Sequence, residues 1–77
     1  MEYLFVHFSA DIQAHVLLDD TDIGLVNKTL RVSAGFHTIT LKTDFTFYPC
    51  LHEILIDNTS YDCPLEITFL DKDPHSP

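Results

Sequence analysis

The chain predicts an all-β fold, a small sandwich of six or seven short, mostly antiparallel strands in two packed layers. Three observations carry that expectation. Short segments alternate apolar and polar residues with the period of a strand. Both glycines, Gly24 and Gly35, fall where a β-chain would turn, so the backbone there is expected to need positive φ or close approach. No segment of ten or more residues shows helical periodicity with caps.

The elements follow in order. Residues 2–8 are dense in aromatic and β-branched types and form a first strand. Leu4, Val6 and Phe8 share one face, and Tyr3, Phe5 and His7 the other, so the strand is expected to be covered on both sides. Ala14 to Leu18 form a second strand, Asp19-Asp20-Thr21-Asp22 supply turn chemistry, and Ile23 to Val26 return as a short third. Thr29 to Ser33 and Phe36 to Thr43 alternate around Ala34-Gly35 and predict a hairpin. On it, Leu30, Val32, His37, Ile39 and Leu41 share an apolar face, opposite Thr29, Arg31, Ser33, Phe36, Thr38, Thr40 and Lys42. Phe45 to Pro49 is aromatic but broken by proline, as in a crossover or irregular edge. Leu51 to Asp57 and Leu65 to Leu70 are the last strands, expected to pair across Asn58 to Tyr61. Residues 1–70 thus form one domain, and Asp71 to Pro77, polar with two prolines, a disordered tail.

With 77 residues there is room for one core. A domain of this size buries only about 60% of its unfolded surface, so partner contacts, neighbouring domains or self-association would add stability. Twelve acids against four scattered bases leave a net charge of −8. No basic stripe exists to neutralise phosphates, which disfavours nucleic acid and anionic lipid. No apolar run reaches the about 18 residues of a membrane span, and no secretory signal is visible. The compartment is left open: as it stands the sequence reads as cytoplasmic, but Met1 is equally compatible with a removed signal or a preceding domain.

Five histidines, two cysteines and the acids invite a metal hypothesis. Zinc sites use spacings that the cysteines, thirteen positions apart, and the histidines do not provide. What remains is a Cys50-x-His52 half-site and an approach of His7 to His15 should the first two strands pair. No metal site and no cofactor are therefore expected. Asp19, Asp20 and Asp22 resemble part of a calcium loop, but Leu25 stands where that loop needs glycine. His37 beside the second turn is read as structural, its ring on the core edge and one nitrogen bonded to carbonyls near Ala34-Gly35. Ser9, Ser33 and Ser60 carry no nucleophile motif, so no catalytic residue is assigned. Asn27-Lys28-Thr29 and Asn58-Thr59-Ser60 match the glycosylation pattern but read as turn residues. If the last two strands pair, Ile56 faces Cys63 and Cys50 faces Phe69. The cysteines then lie roughly 20 Å apart, beyond the about 7 Å a disulfide allows. Two free thiols are expected.

The order of features resembles the PEGA domain, a short β-module. Ala14 matches the alanine of its name motif, and Val16 to Asp19 match the strand into its first hairpin. Ile23-Gly24 match the following Gly step, and Ala34-Gly35-Phe36-His37-Thr38-Ile39 is similar to its second turn. An aromatic cluster follows at Phe45, Phe47 and Tyr48. The likeness spans roughly residues 3–70. The chain departs from the pattern at Asp11-Ile12-Gln13, at Asp20 in place of the hairpin glycine, and at Leu25 to Lys28 in place of Thr-Pro. The resemblance implies a non-catalytic module of cell-envelope or surface proteins, with Gly24, Gly35 and His37 building turns. The expected role is binding or scaffolding of a protein partner or neighbouring domain, with Phe45, Phe47 and Tyr48 as the contact surface or a self-association surface. The alternatives are a small metal-binding protein using His7, His15, Cys50 or His52, and a carbohydrate-binding module.

Overall fold

The computed structural model describes residues 1–9 and 12–71, so the tail expected beyond Asp71 and Asp11 of the degenerate motif lie outside the described residues. The described residues form seven strands: β1 (Glu2–His7), β2 (His15–Leu18), β3 (Thr21–Leu25), β4 (Thr29–Val32), β5 (Gly35–Lys42), β6 (His52–Ile56) and β7 (Leu65–Thr68). They make a three-stranded sheet in the order β4-β1-β7 and a four-stranded sheet in the order β3-β2-β5-β6. All pairings are antiparallel except β1 with β7, which run parallel.

One core lies between the sheets. Leu4, Val6, Val32 and Ile67 fill it from the first sheet, and Val16, Ile39, Leu41 and Ile56 from the second. Phe8, Ala14, Val26 and Phe69 close its margins. Each large apolar chain so buried contributes about 1.5–3 kcal/mol. β1 is central in its sheet, between β4 and β7; its inward Leu4 and Val6 are buried, whereas Tyr3, Phe5 and His7 on the face also expected to be covered are only half-buried.

Two expected hairpins are absent. β4 pairs with β1, whereas β5 pairs with β2 and β6, so Ser33-Ala34 carries the chain from one sheet to the other. The inward residues of both strands are those expected, with Val32, Ile39 and Leu41 buried. A strand pair folded as a hairpin and one folded as an arch across the core satisfy the same alternation, because both point the same residues inward. Gly35, at φ +124°, supplies the bend. Likewise β6 lies beside β5, while β7 pairs with β1. The segment between them is anchored instead on β1. Thr59 donates from its backbone N–H (2.8 Å) and Oγ1 (2.6 Å) to Glu2 Oε1, and Thr59 Oγ1 accepts the Tyr3 N–H at 2.8 Å. These bonds hold the Glu2 carboxyl below its ordinary pKa. The register that separated Cys50 from Cys63 therefore does not exist; both thiols are exposed and unbridged in this fold.

The β2–β3 hairpin forms as expected, with a tighter turn. Only Asp19 and Asp20 lie between the strands, at φ 50° and 70°, the signs a type I′ turn requires. A bulge shifts the β2–β3 register between Val16 and Leu17. It places Gly24 at φ +137°, where an added Cβ would stand 2.9 Å from Leu30 Cδ2. Asn27 and Asn58, the two glycosylation-pattern asparagines, occupy left-handed positions at φ 60° and 56°, as turn residues do.

Candidate functional site

At the Asp19 end of the second sheet, three segments converge on His37. Asp19 prolongs the β2–β5 ladder by one residue: its N–H donates to the Thr38 carbonyl (2.8 Å) and its Oδ1 accepts the Thr38 N–H (2.9 Å). That leaves Oδ2 to accept from His37 Nδ1 at 2.6 Å. His37 Nε2 donates to the Ser33 carbonyl at 2.8 Å. The ring is only 10% exposed, while the Asp19 carboxylate is open to solvent. Carboxylate and carbonyl are both acceptors, so the network is complete only when both ring nitrogens carry protons. The Asp19 hydrogen bond accordingly raises the His37 pKa above its ordinary value, against the opposing effect of desolvation. The Asp19 pKa is lowered, first by the Thr38 N–H and then by His37.

Ser33 Oγ lies 3.3 Å from His37 Nε2, so Ser33, His37 and Asp19 stand in the spatial sequence of a hydrolytic triad. A general base needs a lone pair on Nε2. Here the shorter contact of Nε2 is to a carbonyl, so that nitrogen presents a proton to the serine rather than a lone pair. With that proton in place, the arrangement ties the crossover from β4 to the β2–β3 turn. The sequence places His37 at this turn and pairs it with the right carbonyl region, but not with Asp19, eighteen residues away.

The other histidines are separated. His7 donates to Glu66 (2.8 Å), His15 to Asp22 (3.0 Å) and His52 to the Thr68 carbonyl (2.9 Å). The expected approach of His7 to His15 fails because β1 and β2 belong to different sheets. Cys50 precedes β6 and is exposed, so Cys50 and His52 do not share one strand. Among the described residues, no three His, Cys, Asp or Glu side chains are grouped to hold a metal ion.

The aromatic trio divides. Phe47 packs edge-on against Phe8 (6.4 Å) and Phe69 (5.6 Å) and belongs to the core margin. Phe45 and Tyr48 are exposed, and Tyr48 exchanges two backbone hydrogen bonds with Leu70.

A different apolar surface lies on the outer face of the second sheet. Phe36 and Leu55 are cross-strand neighbours on β5 and β6, 76% and 53% exposed. The next outward pair is Thr38 with Glu53. Phe36, Thr38, Glu53, Asp19 and His37 line a shallow hollow of about 150 Å³. Sequence reading sets Phe36 on the Thr-rich outer face; its size among Thr38, Thr40 and Lys42 is the signal that singles it out. Leu55 carries no such mark, since only the β5–β6 register puts it beside Phe36.

Compared with known proteins, the chain matches no family model, no curated protein and no solved structure. Among the described residues no helix is long and apolar enough to cross a membrane.

Proposed function

We propose that this chain is a non-catalytic β-sandwich module of PEGA-like kind that binds a protein partner or a neighbouring domain through the outer β5–β6 face. One observation supports this reading most directly. Phe36 and Leu55 present adjoining, exposed apolar side chains at one end of the β5–β6 pair, where the next outward residues along the two strands are Thr38, Thr40 and Glu53. Single exposed apolar residues are ordinary, but an adjoining pair rimmed by polar groups is the composition of a docking patch. His37 and Asp19, the groups best suited to chemistry, are engaged in holding the fold.

A photo-crosslinking residue in place of Phe36 or Leu55, expressed in the source cells, tests the proposal. A defined adduct is expected from both positions and not from a control at Thr29 on the other sheet. Equal labelling at all three, or none, would remove the support for this face. Hydrolysis of an activated ester provides the catalytic control: Ser33→Ala is expected to leave the background rate unchanged.

A further inference from the structure

We infer that the occupant of this face is an extended, basic segment of a partner protein, which adds as a strand to the outer edge of β6 and places a Lys or Arg side chain at the hollow bordered by Asp19 and Glu53. The inference rests on the docking role proposed above and specifies the partner's chemistry.

β6 is the last strand of its sheet, so its far edge has no neighbouring strand in that sheet. The opposite edge, β3, carries the bulge, a device that discourages strand addition. A strand added beside β6 would lie about 4.8 Å away, with alternate side chains on the Phe36–Leu55 face. Along β6 that face presents Leu55 and then Glu53, so the complementary segment reads apolar-x-basic. The apolar residue meets Leu55, and the cation meets Glu53 at the hollow shared with Phe36 and Asp19.

Charge separates this occupant from others. Within the hollow, Asp19 is engaged by the His37 ring at 2.6 Å, which leaves Glu53 as the carboxylate without an ion-pair partner among the described residues. The cations of the described residues lie elsewhere. Lys42 is at the far end of β5 opposite His15, Arg31 is on the other sheet, and Lys28 is in the β3–β4 connection. A second copy of a chain carrying −8 would bring acids against acids. A basic side chain gains both the Glu53 carboxylate and the exposed ring of Phe36.

The test uses synthetic peptides of about six residues, one alternating valine with arginine and one alternating valine with aspartate, titrated into the whole chain while amide shifts are followed. The valine–arginine peptide is expected to move the amides of Glu53, Ile54 and Leu55 saturably, with affinity falling as salt rises. Glu53→Gln is expected to weaken it by about two- to five-fold. Phe36→Ser is expected to weaken it by about ten-fold or more. Unchanged amide dispersion in each variant establishes that it is folded. Equal response to the valine–aspartate peptide, shifts centred away from β6, or no saturable shift at millimolar peptide would each overturn the inference. Adducts at positions 36 and 55 without a valine–arginine response would leave the docking face standing and reject only its basic-strand occupant.

Discussion

Replacing His37 by alanine removes one ring and the two hydrogen bonds that tie the β2–β3 turn to the crossover from β4. Hydrogen bonds involving a charged group contribute about 1.5–3 kcal/mol when well buried. Because the Asp19 carboxylate is open to solvent, the loss is expected near the lower end, about 1–2 kcal/mol. For a domain of this size that lowers Tm by roughly 4–16 °C. The pH dependence separates a charged clamp from simple packing. His37 is raised above its ordinary 6.5, so its stabilisation is complete below about pH 6.5 and is lost as pH rises through the folded value. Asp19 is lowered below its ordinary 3.8, so its contribution is complete above that value and is lost as pH falls through the folded one. The difference between wild type and His37→Ala should therefore be greatest between about pH 4 and 6.5, and shrink on both sides. Urea unfolding of both proteins across about pH 3 to 9 measures it. A direct titration of the His37 ring by magnetic resonance should give a midpoint above 6.5. A stability difference that is flat with pH, or a midpoint at or below 6.5, would refute the imidazolium clamp.

Four further substitutions probe the backbone and core. Asp20→Gly relieves a left-handed residue at the second position of the type I′ turn and should raise the unfolding free energy by about 0.5–1 kcal/mol, read from urea melts. Gly24→Ala combines φ +137° with a Cβ 2.9 Å from Leu30, and should cost about 1–3 kcal/mol. Gly35→Ala has open space around the new Cβ and should cost less, its strain lying in φ alone; thermal melts rank the two. Phe69→Ala removes a buried ring that packs on Phe47 and His52, at about 3–5 kcal/mol out of a total of roughly 4–12. Circular dichroism should show a largely unfolded or strongly destabilised chain at 37 °C.

Which residues point inward was legible in the sequence, and which strands lie side by side was not. Alternation put Leu4, Val6, Val32, Ile39 and Leu41 on apolar faces, and all five are buried. It could not distinguish a hairpin from an arch, and it carries no signal at all for β7 pairing in parallel with β1 across more than fifty residues. A small set of polar anchors sits where the chain passes between sheets. Between β3 and β4, Asn27 accepts the Phe8 N–H on its side-chain oxygen and donates its own N–H to Val6. Between β4 and β5, His37 reaches Ser33 on one side and Asp19 on the other. Between β6 and β7, Thr59 is held by Glu2 and Tyr3. Each anchor is a single side chain meeting a group far away in sequence, so none leaves a period to detect. The same anchors explain why the docking surface had to be sought elsewhere. His37, Asp19, Thr59 and Glu2 have spent their donors and acceptors on the crossovers, and Phe47 has gone into the core margin. Phe36 and Leu55 owe nothing to the core, and Glu53 beside them has no cation across the strand pair. Retaining two large apolar side chains in water at the rim of an open sheet invites aggregation, which an acidic neighbour opposes between like copies. The same neighbour attracts a basic strand, so one carboxylate both discourages self-pairing and selects the partner.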